Sequence, residues 1–595
     1  MTKKEYMESC NLVSFAPGKV HLKGPLGKAI SLSVKNRLKK IDYSHLVDPF
    51  RFRNEHDDAW RCEFWGKIVR SLILSQSAVN DPELSVIIRN TVKDMLSTQT
   101  PDGCISSYPV ELQTGGWDIW GRKYVLTALL RYHDLVEKDP CVRNACERMV
   151  DHLMKQVAPD KKNILDCGCH DGLAASSILS AVLGLYRICG KRKYLDYARW
   201  IADTGCSEKH NIFKAACASV PPGELANGKA YEMMSCFQGL LELYREVPDP
   251  VYFQAVKNFY RMVRDREIFI TGVGGLKDIW GEYWDDGKLK QCRNDAGTLG
   301  ETCVTTTWIH YCERMLRLTE DSTIADEMEV SLYNGILGAM KPDGTAWIHG
   351  NPTPLNGNTA WKRPAQDQIL RGFQTPFDGH DCCLAQGPEA LAMALPAAAF
   401  LTGTGPKLNF YEDMDITFQT PGANHAKLSV SGGYPFQSTV RIAIFLPEPE
   451  TFSLQLRIPA WQNPEAGIIV CGKHRPAVPG SYLVLTREWK NNDVVEIAFD
   501  LSPKLFRDPG GSGRVAFRCG SIVLAQDSRL TKDVDIPVPE CTTMKTEKLP
   551  GFQLVWKLAD GTRLCDYASA GNLFREDNTL CVWMRSGFGD SLKIG

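Results

Sequence analysis

No stretch of this sequence approaches the ~20 consecutive apolar residues of a membrane span, which excludes an integral helical membrane protein. Charge of one sign is also scarce. Lys+Arg 69 stand against Asp+Glu 70, a net charge of −1, with no long basic or acidic block. That balance excludes the footprint of a nucleic-acid or membrane-surface binder and suits an uncharged substrate. The opening residues, MTKKEYMESCNLVSF, lack the apolar core of a secretory signal, so a cytoplasmic location is expected. Cysteine is plentiful, at 21, but the dense spacing of a disulfide scaffold is missing. The cysteines are odd in number and scattered, several inside apolar helical runs (Cys146, Cys236, Cys312). Small core thiols in a reducing compartment show that pattern.

What is present is length and periodicity. A chain of 595 residues exceeds one ordinary core, so two to four units are expected. From about Trp60 to Leu401, runs such as WGKIVRSLILSQ, YVLTALLRYHDL, SSILSAVLGLYRI and MMSCFQGLLELYRE space their apolar residues helically. Each is followed by a polar turn and a second helical run, a weak repeat of helical hairpins. First-helix ends fall at Tyr132, Tyr186, Tyr244 and Leu316, the last interval holding extra sequence. Irregular periods and long Gly- and Trp-rich inserts favour a closed α/α barrel over an open solenoid. Beyond about Thr402, segments such as TVRIAIFLP, FSLQLRIPAW and SYLVLTREW alternate at period two between Gly, Pro and Asn turns. The expected division is a barrel over 31–402, an antiparallel β-sandwich over 403–505 and a second small β domain over 506–595. The N-terminal segment, 1–30, carries VSFAPGKVHLKG and is expected to lend strands to that last domain.

Two short segments carry metal-binding chemistry. GETC sets Glu301 and Cys303 at the start of a helical run, and GHDCCLAQGP sets Cys382 and Cys383 at the start of another. Helix N-termini favour thiolates and carboxylates, and three Cys with one Glu suit tetrahedral zinc. The competing reading is ordinary cysteines in a Cys-rich chain, and the spacing is no CxxC…CxxC signal. His380 beside the pair either supports a ligand or only shapes the loop. In GGLKDIWGEYWDDGK, Glu282 is flanked by Trp280, Tyr283 and Trp284. A carboxyl among rings is desolvated and suits a general acid, while the rings stack on sugars; a solvated acidic loop is the alternative. Trp117, Asp118, Arg122 and Tyr124 in GGWDIWGRKY, with Tyr231 and Glu232 in KAYEMMSC, sit at helix beginnings that face a barrel's central pit. They are candidate substrate contacts, whereas Trp120 reads better as core packing.

These segments together resemble glycoside hydrolase family 127, the bacterial β-L-arabinofuranosidase superfamily. The likeness runs from WRCEFWGKIVRSLIL and STQTPDGCISSYP through the GE…ETC…YNGIL series and DCCLAQGP to FSLQLRIPAW and REWKNNDVVEIAF. It implies an (α/α)6 barrel followed by β-sandwich domains. It also implies Zn2+ on Glu301, Cys303, Cys382 and Cys383, with Cys382 as nucleophile and Glu282 as general acid/base of a retaining hydrolysis. The implied substrate is a terminal β-L-arabinofuranose or a related unusual sugar, the partner a carbohydrate, and the assembly to test a homodimer. The sequence departs from the family where histidines are expected to read the sugar. Ala175 or Ser176, and Cys236, stand at those places. Two alternatives follow from that departure and from the breadth of α/α barrels: a non-catalytic carbohydrate-binding protein with structural zinc, or a polysaccharide lyase or isomerase.

Overall fold

The computed structural model describes residues 12–56, 59–276, 281–292, 300–351, 361–362, 381–464, 468–470, 472–531, 534–539, 543–574 and 577–587. Its helical half is built from hairpins whose punctuation is local. Three outer helices open on Asp-Pro: Asp81, Asp139 and Asp249 each cap backbone N–H groups while the following proline takes the first helical position. Proline has no N–H to leave unsatisfied there, and its φ is already helical.

Twelve helices form the barrel: α1 Pro25–Asn36, α2 Phe64–Val79, α3 Pro82–Ser97, α4 Asp118–Leu135, α5 Pro140–Gln156, α6 Leu179–Cys189, α7 Arg192–Asp203, α8 Ala230–Glu246, α9 Pro250–Arg266, α10 Thr302–Thr319, α11 Ser322–Val330 and α12 Cys382–Ala392. The even-numbered helices pack in sequence, α2 on α4, α6, α8, α10 and α12, and α12 closes back on α2. The odd-numbered helices lie outside, with α1 against both α2 and α12. This is the (α/α)6 ring. An inner helix is covered on all sides, and every residue of α2 from Phe64 to Ser75 is buried. Gly66 and Gly121 make the ring tight: a Cβ at Gly66 would lie 2.5 Å from the Tyr124 backbone, and one at Gly121 2.5 Å from Cys62 Cβ.

Antiparallel sheets follow. One sheet runs through 399–402, 405–408, 450–458 and 481–489, and the other through 414–419, 425–431, 439–445, 493–498, 468–470 and 473–475. Strand β1, Val13–Ser14, pairs with Phe400 and Leu401 at the edge of the first, and β2, Val20–Leu22, pairs with Met414–Ile416 at the edge of the second. The N-terminal strands therefore complete this middle sandwich and not the terminal β domain, a correction to the expectation. Register explains it: Val20 meets Ile416, so its buried side chain joins an inward-facing row. Residues 503–581 form a further sheet, whose strand Thr579–Cys581 reaches back to Trp361–Lys362. Arg457 bonds Asp326 and Glu329 between sandwich and α11, and Tyr434 Oη donates to Glu329 at 2.9 Å.

The barrel's two ends differ. N-termini of the inner helices meet at a cavity of about 250 Å3, described next. Their C-termini meet at a second cavity, of about 310 Å3, lined by Arg131, Arg187, Arg245, Arg314 and Arg317. Among the described residues no helix is long and apolar enough to cross a membrane.

Candidate active site and metal centre

A two-residue strand places the first donor. β3, Gly300–Glu301, pairs with β4, Gly350–Asn351, and Glu301 then caps the turn into α10 so that Cys303 lies in its first turn. The Thr302 backbone N donates to the His349 carbonyl at 2.8 Å, and its hydroxyl to that of Ile348 at 2.8 Å. At the start of α12 the Asp381 carboxylate accepts from the Cys383 N at 2.7 Å, fixing the Cys-Cys pair against α10.

Four donor atoms converge. Glu301, Cys303, Cys382 and Cys383 each offer one, all within 4.8 Å of one another. Cys383 Sγ lies 3.4 Å from Cys303 Sγ, 3.8 Å from Cys382 Sγ and 3.6 Å from Glu301 Oε1, and Cys382 Sγ lies 3.8 Å from Glu301 Oε1. Zinc–sulfur bonds of ~2.3 Å at the tetrahedral angle would put two sulfurs about 3.8 Å apart, so the spacing is compatible with four donors around one small cation. Proton affinity agrees. Burial pushes the Glu301 carboxyl up to about 8 despite His349 beside it, and pushes the Cys303 and Cys383 thiols well above the usual range. Donors so buried keep their protons unless a cation displaces them. Cys303 and Cys383 are fully buried, whereas Cys382 and Glu301 also line the cavity.

Glu282 stands at the rim. Its loop is sewn to the start of α8: Ala230 N donates to the Glu282 carbonyl at 2.9 Å, Trp284 N to that of Gly228 at 2.8 Å, and Lys229 Nζ bonds the Glu282 carboxylate. His349 joins the two parts of the site. Its Nδ1 lies 3.3 Å from Cys383 Sγ and 4.0 Å from Glu301 Oε1, and its Nε2 lies 4.0 Å from Glu282 Oε1. Burial opposes its charge, but Cys382 and Glu301 outweigh that and push the imidazole up to about 10.

The remaining expected residues divide. Trp117, Tyr231 and Glu232 line the cavity. Tyr124 lies beneath, its hydroxyl against that of Tyr231, which donates to Gln386 Oε1 at 2.7 Å. Asp118 and Arg122, expected as substrate contacts, do not line the cavity and are buried. They pair with each other at 2.7 Å, Asp118 accepts from Thr114 N at 2.7 Å, and Arg122 reaches Gln156 on α5 at 2.9 Å. Each buried charge thus has its partner inside the wall. His380 and Trp280 lie outside the described residues. Trp120, expected to be core packing, is buried yet also lines the cavity, its indole donating to Glu63 Oε2 at 2.5 Å. Sequence reasoning missed Glu63, Lys67 and Lys229 on the wall, and His349. Glu63 and Lys67 are an i,i+4 pair at 2.8 Å in an apolar helix, a spacing visible in the sequence.

The GH127 catalytic domain of the β-L-arabinofuranosidases matches residues 27–394, and the GH127 middle domain matches residues 407–501. The chain belongs to GH127. A GH127 relative, the non-reducing end β-L-arabinofuranosidase of Bifidobacterium longum subsp. longum, is 23% identical over 536 residues, 82% of this chain and 76% of that one. Ara127N-Se, a GH127 β-L-arabinofuranosidase from Geobacillus stearothermophilus T6, superposes with a TM-score of 0.74 at 19% identity, over 95% of this chain and 100% of that one. The GH127 β-arabinofuranosidase BT3674 gives 0.76 at 17%, over 97% and 98%. This GH127 protein is a glycoside hydrolase, and its substrate is a carbohydrate. Where the family's sugar-reading histidines are expected, Ala175 and Ser176 are buried in packing, and Cys236 is buried with its thiol toward the Leu173 carbonyl. Lysine and glutamate side chains are among those that line the pit of this GH127 protein.

Proposed function

We propose that this glycoside hydrolase releases a terminal β-L-arabinofuranose, or a closely related pentose, from the non-reducing end of an oligo- or polysaccharide, with retention of configuration. The observation that carries the reading is the meeting of two groups at one cavity: Cys382, which alone of the three clustered thiols reaches its surface, and Glu282 at its rim. At about 250 Å3 the cavity lies just below the range of sites that enclose a drug-sized ligand, in keeping with a single sugar unit. The aromatic faces of Trp117 and Trp120, 5.6 Å apart between centroids, offer the apolar contact a sugar ring needs.

Zinc, held by Glu301, Cys303, Cys382 and Cys383, would supply the positive charge that keeps the thiols ionised at neutral pH. The Cys382 sulfur attacks the anomeric carbon while Glu282 gives its proton to the departing glycosidic oxygen. The carbon–oxygen bond breaks as the carbon–sulfur bond forms. Glu282, now a carboxylate held by Lys229, takes a proton from water. That water oxygen attacks the same carbon, and the sulfur leaves as the thiolate. Two inversions give net retention. Cytoplasmic location belongs to the same proposal, supported by eighteen cysteines among the described residues, all free thiols.

The test is direct. Cys382→Ala is expected to abolish hydrolysis of an aryl β-L-arabinofuranoside, and Glu282→Gln to accumulate a sugar adduct on Cys382 visible by intact mass. Metal analysis should find one zinc per chain. Hydrolysis surviving in Cys382→Ala would sink the nucleophile assignment.

A further inference from the structure

Of the charged side chains lining the catalytic cavity, two ammonium groups are already matched. Lys67 pairs with Glu63 at 2.8 Å, and Lys229 bonds Glu282. Glu232, in the first turn of α8, is left over. It is 2% exposed, lines the cavity, and its Oε2 has no hydrogen-bond partner among the described residues. An ionised carboxylate only accepts hydrogen bonds, and a buried oxygen without a donor forfeits ~1–3 kcal/mol. A position of that kind persists where a ligand supplies the donor.

Lys123 stands outside the cavity lining, with its Nζ 3.3 Å from the centre of the Trp120 ring. Burial, with Arg70 beside it, holds Lys123 well below the ordinary lysine range, against the pull of the Glu232 carboxyl. Among the side chains lining the cavity, the carboxyls of Glu63, Glu232, Glu282 and Glu301 outnumber the ammonium groups of Lys67 and Lys229, so acceptors are in excess.

Resting on the hydrolase reading above, we propose that Glu232 is the specificity-determining acceptor of the pit. It accepts hydrogen bonds from hydroxyls of the bound sugar, and its carboxylate favours neutral, hydroxyl-bearing sugars over carboxylated ones. An ionised carboxylate at this place is an accept-only group, matched to hydroxyl donors.

The experiment crosses one side chain with one substrate group. Full-length zinc-loaded wild type and Glu232→Gln are assayed on para-nitrophenyl β-L-arabinofuranoside, on each singly deoxygenated analogue, and on the analogue whose primary alcohol is oxidised to a carboxylate. Glu232→Gln should lower kcat/KM on the parent by roughly 10- to 100-fold, the worth of a hydrogen bond to a charged group. On one deoxygenated analogue that loss should shrink to about threefold or less, because the bond is already missing. The variant should also gain on the carboxylated analogue relative to wild type. Equal losses on every analogue, or no loss on the parent, would overturn the assignment. A second variant, Glu232→Asp, separates folding from reading: it retains the charge, so it should keep discriminating against the carboxylated sugar while losing rate. Wild type that turns over no pentofuranoside defeats the hydrolase reading, and this inference with it. Turnover indifferent to Glu232 defeats the inference alone.

Discussion

The two ends of the barrel are built from the same six inner helices and have opposite electrostatic character. At the N-terminal end, donors of one sign gather: Glu301, Cys303, Cys382 and Cys383, all at helix starts. At the C-terminal end arginines gather, where helix dipoles are negative. The contrast lies in satisfaction. Glu242 takes Arg187, Arg245 and Arg314 together and, despite burial, is held far below the usual carboxylate range. Glu389 does the same for Arg70, Arg131 and His310, at 2.8, 2.6 and 3.2 Å. The C-terminal end answers its own charges. At the N-terminal end four donors instead converge within 4.8 Å of one another, an arrangement that could hold a metal ion from outside.

Removing the outside partner should give the largest effect. Chelation of zinc is expected to take activity to background and to raise the number of thiols reactive toward a disulfide reagent, with zinc restoring both. Cys303→Ser, which alters a donor that does not line the cavity, should lose zinc and activity together. If Cys303→Ser kept full activity without metal, the contrast between the ends would collapse.

At the self-satisfied end the prediction concerns stability and leaves catalysis alone. Glu389→Ala strands two arginines and a histidine in a buried place and should cost about 3–5 kcal/mol by denaturant unfolding. Its kcat/KM should stay within about twofold, since the site lies at the other end.

A third helix terminus tests whether internal satisfaction has a cost. Glu412, from the sandwich, accepts from Leu26 N at 3.1 Å and Gly27 N at 3.2 Å at the start of α1. Burial pushes its carboxyl up to about 7 from an ordinary 4.5. The folded state thus binds this proton more tightly than the unfolded one. The resulting stabilisation is full below about pH 4.5 and is lost as pH rises through 7. Relative to Glu412→Gln, the wild type should weaken over that window by at most on the order of 3 kcal/mol, read from urea midpoints at both pH values. A flat difference would remove Glu412 from the account.

The smallest effect belongs to the solvent edge of the arginine end. Arg245, about a third exposed and 3.5 Å from Glu242, should change stability by less than ~1 kcal/mol on replacement by Ala. A larger loss would mean that the network needs all three of its arginines.

Much of this was legible in the residue order. The hairpins announced themselves through helical spacing, and Tyr132, Tyr186, Tyr244 and Leu316 all fall near the ends of inner helices. The four clustered donors were legible because each opens a helix. His349 was not, since it sits in a short extended piece, WIHG, with no period, and is delivered by the β3–β4 pairing. Asp118 and Arg122 misled because a charge beside apolar residues looks like a site, although their i,i+4 spacing also marks a pair that satisfies itself. Glu63 and Lys67 show the converse. The same spacing hides two residues that do face the cavity.

Closure of the ring by α12 against α2 has a consequence in time. About 300 residues separate the end of α2 from the start of α12. At roughly 5–20 residues per second, a ribosome needs about 15–60 s to make them. Through that interval the apolar flank of α2 has no final neighbour, and β1 and β2 wait still longer for their sheets. Nascent chains of this protein are therefore expected to lean on chaperones until the polypeptide is almost complete. Because Cys382 and Cys383 arrive with that closing helix, a metal held by the four donors, as proposed, would be captured only once the ring has shut.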